Sequence, residues 1–124
     1  MLDTTRYTTT LTNELERIVA ELTSIATHNE QTDDWVAIPV GTETAEADET
    51  DEADVVEEWN ERQATVSVLE MSYRNVRRAL AKIDTGTFGV CEVCGAPIEV
   101  NRLDANAAAR TCISHREEET TLAL

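Results

Sequence analysis

Aromatic side chains are scarce in this sequence: Tyr7, Trp35, Trp59, Tyr73 and Phe88 are the full set among 124 residues. A short chain with so few large rings cannot fill a sizeable core, so one or two small domains are the limit. Basic residues are scarce as well. Ten Lys and Arg stand against 25 Asp and Glu, giving a net charge of −15 and a pI near 4.3. Phosphate backbones would be repelled by such a chain, which argues against ordinary DNA or RNA binding. A basic protein surface or a positively lined cavity is the better partner. No N-terminal apolar run resembles a signal peptide, and no run is long enough to span a membrane. There are only three cysteines, none spare for a disulfide, and that usage fits a reducing, cytoplasmic setting.

What cysteine there is lies in one place. Cys91-Glu92-Val93-Cys94-Gly95 is answered by Cys112-Ile113-Ser114-His115, and seventeen residues, Gly95 to Thr111, separate the two pairs. Ligands at i and i+3 on a tight turn can point at one ion, and a second such turn completes a tetrahedron. Cys91, Cys94, Cys112 and His115 are therefore predicted to hold one structural Zn²⁺, with Gly95 supplying the backbone freedom of the first turn. With four protein ligands there is no open position for a catalytic water, so the site does not read as an enzyme's. The rival reading, a Cys91–Cys94 redox pair, requires a metal-free titratable dithiol. The other histidine, His28, falls at a predicted helix end and reads as a capping or solvent-facing residue.

In chain order, residues 1–10 are Thr-rich and read as a flexible arm. From there the pattern is helical. Leu11, Leu15, Ile18, Leu22 and Ile25 alternate steps of four and three, a coiled-coil seam that fades near His28. Residues 30–50 read as an acidic linker broken by Pro39 and Gly41, with Trp35, Val36, Ile38 and Val40 as an extended patch expected to cover Val55 and Trp59. Between Glu43 and Glu61 there are ten Asp or Glu and no Lys or Arg, a run that ordinarily marks a solvated segment. A second helix is predicted from Thr50 or Asp51 to Asp84, with Gly86 just past its end. Its seam, Val55, Trp59, Arg62, Val66, Leu69, Tyr73, Val76, Leu80 and Ile83, alternates the same steps without a fault. Arg74, Arg77, Arg78 and Lys82 near its end read either as complements to the helix dipole and the first helix, or as a partner-binding group. Leu103 to Arg110 is predicted as a short helix feeding Cys112, and residues 117–124 as a tail. The whole is a mainly α protein: an antiparallel two-helix coiled-coil hairpin over residues 11–84, on a small zinc-finger base at 85–116.

The stretch from Ala79 to His115 resembles the DksA/TraR zinc-finger family. The shared features are a helix ending in Gly-Thr-aromatic-Gly-x-Cys, then CxxCG, Pro-Ile, Arg-Leu-x-Ala and a second metal pair, with His115 in place of a fourth cysteine. The resemblance implies a coiled-coil hairpin on a zinc base that enters the secondary channel of RNA polymerase. Such a protein alters initiation without binding DNA, often together with a nucleotide alarmone. It also implies a functional tip of the form Asp-x-x-Asp-x-Ala, matched here by Asp48, Asp51 and Ala53. The residues by themselves equally allow a zinc-stabilised acidic interaction module with a different partner.

Overall fold

The computed structural model describes residues 3–40 and 52–123. In chain order the elements are α1 (Thr4–Ile25), β1 (Ala26–Asn29), β2 (Asp34–Ala37), α2 (Glu52–Thr85), α3 (Val100–Ala105) and a closing 3₁₀ helix (Ile113–Thr121). The protein is thus mainly helical, with one long helix leading into the cysteine-bearing segment, as the sequence predicts. The chain divides into two compact units, one of Met1–Arg17 with Ser72–Leu124, the other of Ile18–Met71. No helix among the described residues is long and apolar enough to cross a membrane.

The periodicity of both seams is realised. Leu11, Ile18 and Leu22 of α1 are buried, and every seam position of α2 from Val55 to Ile83 is buried or half-buried. α1 starts earlier than its leucine seam indicates. Residues 1–10 were expected to form a flexible arm, yet the chain is helical from Thr4. Two causes are visible. Tyr7 is buried and extends the seam one step of four before Leu11. Thr8, Thr9 and Thr10 turn their hydroxyls onto the carbonyls four residues back, so residues that lower helix propensity are accommodated within the helix. Asp3 Oδ1 accepts the Thr5 N–H at 3.1 Å, the bond of an N-cap.

In the unit Ile18–Met71, α1 ends at Ile25 and the chain turns directly into an antiparallel hairpin. His28 faces Trp35 across it, and their rings stack at 4.4 Å with 21° between planes. His28 is therefore a half-buried strand residue, not a helix cap, and its Nε2 lies 2.7 Å from Asp33 Oδ1. The loop is closed by Asp33 N–H on the Asn29 carbonyl and by Asn29 Oδ1 accepting the Gln31 N–H. Asp33 takes the left-handed conformation that Asp and Asn tolerate best after Gly. The extended patch is tied to α2 at two points: the backbone N–H of Trp35 donates to Glu70 Oε2 at 2.7 Å, and Arg62 Nη1 donates to the Ile38 carbonyl at 2.8 Å. Arg62 occupies a seam position because its guanidinium supplies a donor to a strand-end carbonyl that an aliphatic side chain would leave unsatisfied.

In the other unit α2 stops as the sequence predicts. Gly86 has φ +79°, its N–H donates to the Ile83 carbonyl at 3.3 Å, and the Thr87 N–H reaches back to the Lys82 carbonyl at 2.9 Å. This is the Schellman pattern, and it satisfies two of the helix's last carbonyls. The predicted helix Leu103–Arg110 differs: α3 lies earlier, at Val100–Ala105. Asn106 ends it in an extended conformation, and its Oδ1 accepts the Ala108 N–H, an Asx turn that outcompetes the helical propensity of the alanines that follow.

Gly86→Ala should destabilise the protein by roughly 1–2 kcal/mol, the cost of a Cβ in a left-handed conformation, because no atom lies close enough to add a clash. Thermal unfolding should show this as a lowered midpoint with unchanged zinc content.

Candidate metal centre

The metal-binding turns grow out of the end of α2. After Gly86, Thr87 to Val90 lead into a short antiparallel pairing of Val90 with Pro97. Around it the Ile98 N–H donates to Gly89, the Cys91 N–H to Ala96 and the Gly95 N–H to Cys91. Gly89 and Gly95 both have positive φ, so the loop doubles back and brings the Cys91 and Cys94 side chains to one side. The second pair is set by a turn in which the His115 N–H donates to the Cys112 carbonyl, with His115 kinking the 3₁₀ helix.

The four ligand atoms lie within 4.8 Å of one another. Cys94 Sγ is 3.8 Å from Cys112 Sγ, and His115 Nδ1 is 3.3 Å from Cys112 Sγ and 3.9 Å from Cys91 Sγ. A tetrahedron with Zn–S bonds of about 2.3 Å has S···S edges of about 3.8 Å, so the cluster fits one Zn²⁺. Cys91, Cys94, Cys112 and His115 are positioned to bind one metal ion, and the Nδ1 edge of the imidazole is the one that faces the thiols.

The electrostatics of the thiols point the same way. Burial pushes the Cys91 thiol up, but the backbone N–H groups of Cys112, Cys94 and Val93, with the Cys94 side chain, outweigh it and bring it down to about 6. Cys112 moves oppositely: burial, then the neighbouring Cys91 and Cys94, raise it. One thiolate is favoured by the fold, and a second is opposed by the first. A dication among them removes that conflict, since a coordinated thiol is deprotonated outright.

Residues with no motif of their own hold the two turns together. Glu92, inside the first CxxC, takes two hydrogen bonds from Arg110, at 2.7 and 2.8 Å, and a third from Lys82 Nζ at 2.6 Å. Its N–H donates to the Arg110 carbonyl. Arg110 draws the Glu92 carboxyl down from the usual 4.5 to about 2, against an opposing effect of burial and with a smaller contribution from Lys82 at the helix end. The ion-pair contribution is therefore full above pH 4.5 and is lost as pH falls towards about 2. Arg102 braces the second turn through the Thr111 carbonyl at 2.6 Å, the Thr111 hydroxyl at 3.1 Å and Glu119 Oε2 at 2.9 Å. Glu119 also accepts the Arg110 N–H, and Glu99 accepts that of Ile113. Tyr7 and Arg6 of α1 reach the same lobe: both hydrogen-bond Asp104, and the Tyr7 ring lies 5.3 Å from Phe88. Sequence reading passed over Glu92, Arg110, Glu119 and Tyr7. The one available signal was position: Glu92 lies between two ligands and Arg110 two residues before a third. Lys82, read as a helix-dipole cation or partner contact, is in fact tied to Glu92.

Of the predicted tip residues, Asp48 and Asp51 lie outside the described residues, and Ala53 is exposed in the first turn of α2.

Cys112→Ser removes one of four ligands and should abolish stoichiometric zinc while leaving most of the α2 helicity; zinc content and circular dichroism read the two separately. Glu92→Gln keeps the shape but discards the charge that Arg110 and Lys82 hold. A loss of about 1.5–3 kcal/mol is expected, as for hydrogen bonds to charged groups, visible in chemical unfolding of the zinc-loaded protein at pH 7.

Residues 86–114 match the family model of the prokaryotic dksA/traR C4-type zinc finger, a match that ends one residue short of His115. No match was found among curated proteins. Among solved structures, the fold is similar to that of transcription factor DksA2 from Pseudomonas aeruginosa, with a TM-score of 0.56 and 21% sequence identity over 94% of this chain and 76% of that one. At that identity the likeness is one of fold. The segment similar to a dksA/traR-type zinc finger thus carries Cys91, Cys94 and Cys112, and His115 follows it directly, the four being positioned to bind one metal ion.

Proposed function

We propose that this chain regulates transcription by binding RNA polymerase through its secondary channel, modulating initiation without contacting DNA. The observation that carries this reading is the join between a DksA/TraR-type finger and the end of a 34-residue helix, in a fold like that of a DksA transcription factor. The acidic balance supports it, because a chain of net charge −15 is suited to a positively lined protein channel and not to a phosphate backbone. In this reading Cys91, Cys94, Cys112 and His115 hold a structural zinc ion that anchors the base of α2. Asp48, Asp51 and Ala53 form the tip that approaches the polymerase's catalytic centre, where carboxylates alter the field around the bound metal. The protein is a regulator and not an enzyme, since four protein ligands leave the metal no site for a reacting water.

One observation favours a second reading, an acidic interaction module with another partner. α1 stops at Ile25 and gives way to a β-hairpin, where a two-helix tip would need a second helix continuing alongside the start of α2. Pull-down of core RNA polymerase with a photo-crosslinker at residue 51, with and without a nucleotide alarmone, separates the two. A crosslink into the secondary channel is the expected outcome, and Asp51→Asn should weaken the effect on initiation while leaving fold and zinc content unchanged. Absence of polymerase binding would sink the reading and leave the module.

A further inference from the structure

α2 carries a second apolar stripe. Within Ile18–Met71, the seam Val55, Trp59, Arg62, Val66 and Leu69 faces inward, buried or half-buried. On the opposite side Val56, Asn60, Ala64, Val68 and Met71 fall within about a third of the helix circumference, over some four turns. All five are exposed, and the large ones strongly so: Val56 57%, Val68 64% and Met71 49%. The first four form an i, i+4 row, the ridge that packs into a groove of a second helix, and the small Ala64 at its middle permits close approach there. A solvated helix face has no physical reason to align three large aliphatics in this way.

The charge beside the stripe says what fits it. Exposed Asp54, Glu57 and Glu61 run along one flank. The only basic residue between Val56 and Met71 is Arg62, which lies on the opposite face, donates to the Ile38 carbonyl and pairs with Glu58 at 3.9 Å. A second copy of this chain would set the same acids against each other. A helix with Lys or Arg beside an apolar face would meet them favourably.

We propose that the outward stripe Val56–Met71 of α2 docks a basic amphipathic helix, its apolar face on Val56, Ala64, Val68 and Met71 and its cations on Glu57 and Glu61. This surface is separate in sequence from the metal centre and stands whether or not polymerase is the partner. The probe is a pair of fluorescently labelled designed helical peptides of roughly 18 residues, long enough to cover four turns. They share an Ala/Leu stripe and differ only in carrying Lys or Glu beside it. Each is titrated by anisotropy against the full zinc-loaded chain. The Lys peptide should bind at least about tenfold more tightly than the Glu peptide, with a preference that shrinks as salt rises. Val68→Asp should cost about tenfold, with circular dichroism unchanged because the side chain is exposed, and Glu57→Lys with Glu61→Lys should reverse the preference. Equal or absent binding of the two peptides overturns the proposal, as does a Lys preference indifferent to Val68→Asp, which would be charge attraction alone. Sedimentation of the peptide-free chain as a dimer that Val68→Asp dissolves would overturn it in favour of a second copy as occupant.

Discussion

The convergence of Cys91, Cys94, Cys112 and His115 on one point is the constraint on which the C-terminal lobe depends. Its buried apolar side chains are few and small, Ile98, Leu103, Ala107 and Ala109 chief among them, and α3 has only six residues. A lobe of that size buries too little surface to offset the entropy of ordering its loops. A metal ion shared by two turns 18 residues apart would close those loops and remove the mutual repulsion of thiolates whose ligand atoms the fold has already brought within 4.8 Å. Binding free energy at such a site is folding free energy.

Around the four candidate ligands the lobe is held by charged pairs as well as by its small core. Arg110 is almost fully buried, yet its guanidinium is matched by both oxygens of Glu92, and Glu92 is tied in turn to Lys82 at the end of α2. Arg102 and Glu119 do the same for the second turn, over a Thr111 with no exposed surface. Bidentate Arg–carboxylate pairs fix orientation as well as distance. Loss of one partner would leave a buried charge uncompensated, a larger penalty than the pair's net contribution. The network links the end of α2 to both metal-bearing turns, so the finger's position is specified from the helix by Gly86, Lys82 and Glu92 in succession.

α2 joins this lobe to the acidic region, and its two faces have different tasks. The seam faces inward, with Arg62 satisfying a strand carbonyl, while the outer stripe presents aliphatics beside carboxylates. An acidic chain thereby combines a hydrophobic contact surface with a field that selects cationic partners. The proposed helix-docking stripe draws on that combination, and the proposed polymerase reading on the acidic field alone.

Local spacing sufficed for several features: the two ligand pairs, the uninterrupted alternation of the α2 seam, and the Gly86 stop. Each is a short-range pattern in which side-chain periodicity or backbone sterics acts within a few residues. The start of α1 at Thr4 was hidden because threonine's weak helix propensity is offset by hydroxyl bonds and by the burial of Tyr7, and burial is not a local property. The same holds for His28, whose stacking on Trp35 exists only once the hairpin forms, and for α3, displaced by the side chain of Asn106. The bracing of the metal turns by Glu92, Arg110, Arg102 and Glu119 was decided by tertiary structure alone. An ion pair has no sequence period, and the partners, between nine and 18 residues apart, meet only where the backbone returns upon itself.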